Sequence, residues 1–258
     1  MNIKKIDESK KNNTLSFEVS GTTEAFANAV RRAVIEEVPT LAIEDVEIKE
    51  NSSALYDEML ALRLGLLPIK TDLKSYEAKE DCPCGGAGCA QCELVLTLKA
   101  SKKGIVYASD MESKDPKCLP VYGEMPVIML LAKQKVELQA VAVLGTGKKH
   151  AKWSPGLIWY RQKASLSVNP NSAQWETFKA KYPPQVIDKS GKIKKELIVE
   201  LDLFDAVDGV CDEVAKVEWD PTTVIFTCES WGQLSNQEML KKSVEIIFEK
   251  CEALEAQL

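Results

Sequence analysis

The chain has 258 residues, 45% of them hydrophobic and 28% charged, with a formal charge of −6 and a pI near 5.2. That is ordinary globular composition, enough for one large domain or two to three smaller ones, and roughly 70–75% of the unfolded surface is buried on folding without disulfides. Acidity and scattered lysines exclude a leading role in gripping nucleic acid. With no apolar run of signal-peptide or membrane-span length, the expected setting is cytoplasmic or nuclear, where thiols stay reduced.

In chain order, Asn2 to Val19 reads as two short strands around the polar turn Ser9 to Asn13, with Leu15, Phe17 and Val19 alternating. Gly21-Thr22-Thr23 opens a helix over Glu24 to Val38, closed by Pro39. Its core stripe is expected to be Ala25, Phe26, Ala29, Val30, Ala33 and Val34. Leu41 to Glu50 alternates as a strand, and Asp57 to Leu67 reads as a helix ending at Pro68. Glu93 to Lys99 and Val136 to Ala142 alternate cleanly, with Pro116, Pro120 and Pro126 marking loops. Gly145-Thr-Gly147 is a turn lacking the rest of any phosphate-binding motif. Between Asn169 and Pro221 the texture changes: Pro183-Pro184, the lysines from Lys189 to Lys195 and the acids from Asp202 to Asp212 suggest a small insert with weak core signals. Val224 to Cys228 reads as a strand and Ser235 to Leu258 as a long helix.

The strongest chemical signal is Cys82-Pro-Cys84-Gly-Gly-Ala-Gly-Cys89-Ala-Gln-Cys92. Four thiols within eleven residues, interleaved with glycines, suit a closed four-thiolate zinc shell, which holds a loop and activates no water. An iron–sulfur cluster is the second chemical option, and four unliganded thiols the bland one. Cys118, Cys211, Cys228 and Cys251 stand alone and read as buried or half-buried thiols. His150, the only histidine, lies among lysines and reads as a packing or hydrogen-bonding residue. No aspartate set of the Mg²⁺-polymerase type appears, so no catalytic residue and no nucleic-acid-binding residue is assigned.

Two helical faces ask for partners. Arg31, Arg32 and Ile35 lie opposite the core stripe of the first helix. They form either a solvated face paired with Glu36 or a second face buried against another chain. In the last helix Ser235-Asn-Gln-Glu238 is a capping box. Leu240, Val244, Ile247, Cys251, Leu254 and Leu258 then recur at steps of four and three, the seam of a helix that pairs with another helix.

Three stretches resemble the alpha-like subunits of multisubunit RNA polymerase, with the archaeal D-type group the nearest in pattern. They are Phe26-Ala-Asn-Ala-Val-Arg-Arg-Ala-Val-Ile-Glu-Glu-Val-Pro-Thr-Leu-Ala-Ile-Glu44; Asn51-Ser-Ser-Ala-Leu-Tyr-Asp-Glu58 with Leu62-Arg-Leu-Gly-Leu-Leu-Pro-Ile69; and Leu144-Gly-Thr-Gly-Lys-Lys-His-Ala-Lys-Trp-Ser-Pro155. The resemblance implies an α+β fold: an alpha-like dimerisation domain built from both chain ends, an inserted β-rich domain, and a small degenerate ferredoxin-like insert. The expected segments are 1–40, 156–168 and 222–258 for dimerisation, 41–155 for the inserted domain with its zinc loop 82–92, and 169–221 for the ferredoxin-like insert. It implies a non-catalytic scaffold of the nucleotidyltransferase DNA-directed RNA polymerase. That scaffold pairs with the small alpha-like subunit L, is joined by the small subunits N and P, and docks the large B-type subunit through Arg31, Arg32 and Ile35.

Two features depart from that pattern. The loop Cys82 to Cys92 looks like the zinc loop of the eukaryotic relative, which not every archaeal subunit retains. The 169–221 stretch keeps only Cys211, so no iron–sulfur cluster is expected there. The competing reading is a free-standing zinc-dependent or thiol-redox enzyme, which needs an open zinc position or an activated thiol beside a base.

Overall fold

In the computed structural model, which describes residues 1–258, the elements begin with β1 (Asn2–Ser9), β2 (Thr14–Ser20), α1 (Glu24–Glu36), β3 (Thr40–Asn51) and α2 (Asp57–Gly65). They continue with β4 (Leu94–Ala100), β5 (Gly104–Tyr107), β6 (Met111–Ser113), β7 (Pro126–Leu130), β8 (Val136–Gly145) and β9 (Gly156–Val168). Three short helices follow, α3 (Trp175–Phe178), α4 (Lys195–Glu200) and α5 (Phe204–Val207), and the chain closes with β10 (Ala215–Ser230) and α6 (Asn236–Glu255). The fold is α+β, with sheets of order β1-β2-β10-β9, β3-β8-β4-β6 and β5-β7. No helix is long and apolar enough to cross a membrane.

The chain divides into two compact units. One comprises Met1–Lys4, Phe17–Ala27 and Tyr160–Phe226; the other comprises Lys5–Ser16, Asn28–Trp159 and Thr227–Leu258. In the larger unit the period-two alternation expected of β4 is observed: Leu94, Leu96 and Leu98 are buried. They pair antiparallel with Ala142, Ala140 and Leu138 of β8. On its other edge β8 pairs with β3, from Thr40↔Gly145 to Asn51↔Val136, with register shifts at Ile43/Asp45 and Ile48/Glu50. Leu60 and Leu64, one helical turn apart on α2, close this core together with Leu41, Ile43 and Ile69. Pro126 opens β7 instead of marking a loop; a proline is tolerated at the first residue of a strand, where no ladder N–H is required.

The expectation for α1 is corrected. On α1 the buried residues are Ala27, Val30, Ala33, Val34 and, just beyond its end, Val38, whereas Ala25, Phe26 and Ala29 are exposed. Small apolar residues lie on more than one side of this helix, so two stripes fit the periodicity equally and only tertiary contact selects one. The 169–221 insert, though its sequence signals are weak, has a core of its own. Trp175, Tyr182, Val186, Ile193, Ile198, Phe204, Val207 and Val214 are buried together, with the Trp175 and Tyr182 rings 5.6 Å apart. These residues carry no helical or strand period because α3, α4 and α5 are only four to six residues long. The final strand runs through 16 residues with Pro221 exposed inside it, not only Val224 to Cys228.

Candidate metal centre and partner surfaces

The cysteine loop leads into β4, and its conformation follows from its glycines. Gly85, Gly86 and Gly88 adopt φ of 64°, 82° and 91°, a region costly for any residue with a Cβ. At Gly88 a Cβ would also stand 2.6 Å from the Glu93 carboxylate, which ion-pairs with Lys79 at 2.6 Å. Backbone bonds from Gly85 N to Cys82 O (3.0 Å) and from Glu93 N to Cys89 O (2.8 Å) close the two halves of the loop.

This folding brings the four sulfurs together. Cys82 and Cys89 Sγ are 3.5 Å apart, Cys84 and Cys92 3.6 Å, Cys89 and Cys92 3.8 Å, and all four Sγ lie within 4.8 Å of one another. All four are free thiols. A tetrahedron of sulfurs ~2.3 Å from a central ion has edges of ~3.8 Å, so the quartet has the dimensions to bind one metal ion. A hydrogen bond with the Cys82 thiol pulls Cys84 down to about 6, while burial pushes Cys92 upward. A cation bound by the four sulfurs would displace their protons. The isolated cysteines differ: burial pushes Cys118 up to about 11 and Cys228 up to about 12. Cys211 is half-buried, and Cys251 is exposed, which corrects its expected burial. Cys251 lies in the last turns of α6, where every residue from Phe248 onward is exposed.

The 144–155 block is a clamp on the end of α1. The Cβ absent from Gly147 would stand 2.0 Å from the Ile35 carbonyl oxygen, and Lys148 N donates to Glu36 O at 2.9 Å. The Cβ absent from Gly145 would fall 2.4 Å from the Trp153 ring. Trp153 Nε1 donates to Val143 O at 3.1 Å, and Thr40 Oγ1 donates to Trp153 O at 2.6 Å. Lys152 lies 4.4 Å over the Trp153 ring, donates to Ile43 O at 2.9 Å and pairs with Glu44, which sits at the β3 register shift. His150 Nδ1 accepts from Lys152 N at 3.1 Å, the local hydrogen-bonding role read from its setting. The glycines are therefore there for close packing. Sequence reasoning missed this clamp, although a Gly-x-Gly a few residues ahead of a Trp was the available signal.

Arg31, half-buried, donates to Asn28 Oδ1 through Nε (3.1 Å) and Nη2 (2.9 Å). Arg32 is exposed and makes a two-pronged pair with Glu36, whose carboxyl is held below its ordinary range by that bond. Ile35 is half-buried beside them. On α6 the capping box is present, with Glu238 N donating to Ser235 Oγ (3.2 Å) and Ser235 N to Glu238 Oε2 (2.9 Å). Met239 and Ser243 face inward. Of the seam residues, Leu240 and Ile247 are half-buried, Val244, Cys251 and Leu254 are exposed, and Leu258 is fully so; Phe248 beside them is 62% exposed.

The chain is thus an α+β protein with a four-cysteine loop able to bind a metal ion and a last helix that leaves apolar side chains exposed. The family model for the RNA polymerase Rpb3/RpoA insert domain matches residues 46–158. Relatives match over nearly the whole length. DNA-directed RNA polymerase subunit Rpo3 of Methanosarcina acetivorans is 36% identical over 243 residues, 92% of this chain and 91% of the relative. The Rpo3 of Archaeoglobus fulgidus is 34% identical over 242 residues, 93% and 92% of the two chains, and that of Pyrococcus furiosus 31% over 252 residues, 96% and 94%. The chain belongs to the Rpo3 family of DNA-directed RNA polymerase subunits.

Proposed function

We propose that this member of the polymerase is a non-catalytic assembly platform of the archaeal D type. Segments 1–40, 156–168 and 222–258 serve as its dimerisation domain, 41–155 as an inserted domain and 169–221 as a smaller insert. The observation that carries the reading is the seam of α6. An apolar surface that includes Val244, Phe248, Leu254 and Leu258, all more than half exposed, is too extensive to leave in water. The occupant that fits is the equivalent helix of the small alpha-like subunit L. The small subunits N and P join that pair, and Arg31, Arg32 and Ile35 dock the large B-type subunit. The Cys82, Cys84, Cys89 and Cys92 sulfurs hold one structural zinc, whose closed tetrahedral shell matches their spacing. The whole acts in the cytoplasm as part of the polymerase.

Co-expression tests the platform. With the small partner the chain is expected to form a soluble 1:1 complex, and without it to self-associate; deleting Val244 to Leu258 abolishes the complex. A stable, monodisperse monomer that neither gains a partner nor changes on deletion would refute the reading.

A further inference from the structure

The charge of the insert is segregated. Residues 179–195 carry six lysines (179, 181, 189, 192, 194 and 195) against one carboxylate, Asp188, in a chain whose net charge is −6. Asp188 is already satisfied: it accepts from Ser190 N (2.8 Å), Ser190 Oγ (2.5 Å) and Lys192 N (3.0 Å), and pairs with Lys194 at 3.4 Å. That is the one ion pair of the segment. Lys179, Lys181, Lys189, Lys192 and Lys195 have no carboxylate partner, and all but Lys179 are exposed.

Two of these ammonium groups lie over aromatic rings of the insert, and the 188–192 turn is seated on one of them. Trp175 Nε1 donates to Gly191 O (3.1 Å), which seats the 188–192 turn on the tryptophan. Lys179 Nζ lies 5.9 Å over the Trp175 ring and 3.2 Å from where a Gly191 Cβ would be. Lys194 N donates to Val186 O (3.0 Å), and Lys181 lies 5.0 Å over the Phe178 ring. The six lysines fall within 17 residues on the same small lobe, and unneutralised like charges so close together favour an anionic ligand.

We propose that this lysine face docks a short Asp/Glu-rich segment of another protein. Two observations favour a short acidic peptide over nucleic acid. Residues 196–213, which continue directly from the face, hold seven carboxylates and no cation. A duplex carries one charge per ~1.7 Å along its axis and would run on across those acids; a short peptide ends before them. The aromatic rings Trp175 and Tyr182 are buried, so they offer unstacked bases no platform. The lysine face shares no residue with the α6 seam or with the cysteine loop.

The test is a fluorescence-anisotropy titration of the full chain with a labelled Asp/Glu-rich peptide of about ten residues, at low and at roughly 150 mM salt. Lys189→Gln/Lys192→Gln/Lys194→Gln/Lys195→Gln is expected to weaken binding by about tenfold or more. A control removing the exposed Lys10, Lys11, Lys102 and Lys103 in the same way changes it by less than about twofold. Unchanged amide exchange across residues 175–214 verifies that the variant insert is folded. Equal losses in both variants, binding of an Asn/Gln version of the peptide, or no binding at all would overturn the proposal. Tighter binding of a DNA duplex through the same lysines would replace it with a nucleic-acid site.

Discussion

Gly147→Ala is the sharpest test of the clamp between the 144–155 block and α1. The new Cβ would lie 2.0 Å from the Ile35 oxygen, with the Ile35 carbonyl carbon at 3.1 Å and Glu36 Cα at 3.4 Å. All three are backbone atoms, so no side chain can swing aside. Relief needs a displacement of about 1 Å between the turn and the helix end, enough to stretch the 2.9 Å bond from Lys148 N to Glu36 O past hydrogen-bonding range. Overpacking costs ~1–3 kcal/mol and the lost bond ~0.5–1.5 kcal/mol, together roughly 1.5–4.5 kcal/mol. Against a typical ~5–15 kcal/mol this is a large fraction of stability. Urea unfolding should show the midpoint falling at unchanged slope, and hydrogen exchange should show the Lys148 amide opening. A stability change below about 0.5 kcal/mol with that amide still protected would refute the reasoning.

Three further outcomes are expected. Purified protein should contain one equivalent of zinc, and Cys89→Ser should lower it while raising exchange between Asp81 and Glu93; well under half an equivalent in the parent protein would sink the zinc assignment. The double variant Arg31→Ala/Arg32→Ala should keep the fold, since Arg32 is exposed and solvent screens its pair with Glu36, yet stop assembly at the large-subunit step. Normal polymerase assembly would return both residues to solvent. Asp188, held down to about 2 from an ordinary 3.8 by the Ser190 hydroxyl and neighbouring amides, should make acid tolerance of the insert depend on its carboxylate. Because the folded value is the depressed one, its stabilisation is complete above about pH 4 and fades as pH falls toward 2. Wild type and Asp188→Asn should therefore differ in urea midpoint at neutral pH and converge near pH 2; a constant gap across that range would argue against the linkage.

Local chemistry by itself determined much of this protein. The capping box and the four-three spacing of α6, the alternation of Leu94, Leu96 and Leu98, and the glycine-interleaved cysteines all lie within a few turns of chain, where backbone geometry turns spacing directly into facing. Membership in the alpha-like polymerase family was legible for the same reason, in three contiguous stretches. What only tertiary structure decided involves partners far apart in the chain. The buried side of α1 passed from Ala25, Phe26 and Ala29 to Ala27 and Val38, because its small apolar residues permit two stripes and packing selects one. Gly147 became a contact for Ile35, more than a hundred residues away, a role no turn pattern encodes. The insert drew a core from single residues on helices too short to show a period, and that same folding set Lys179 over Trp175 beside Gly191. Spacing reports a face only where an element is long enough to repeat it; close approach and shared burial arise when distant segments meet.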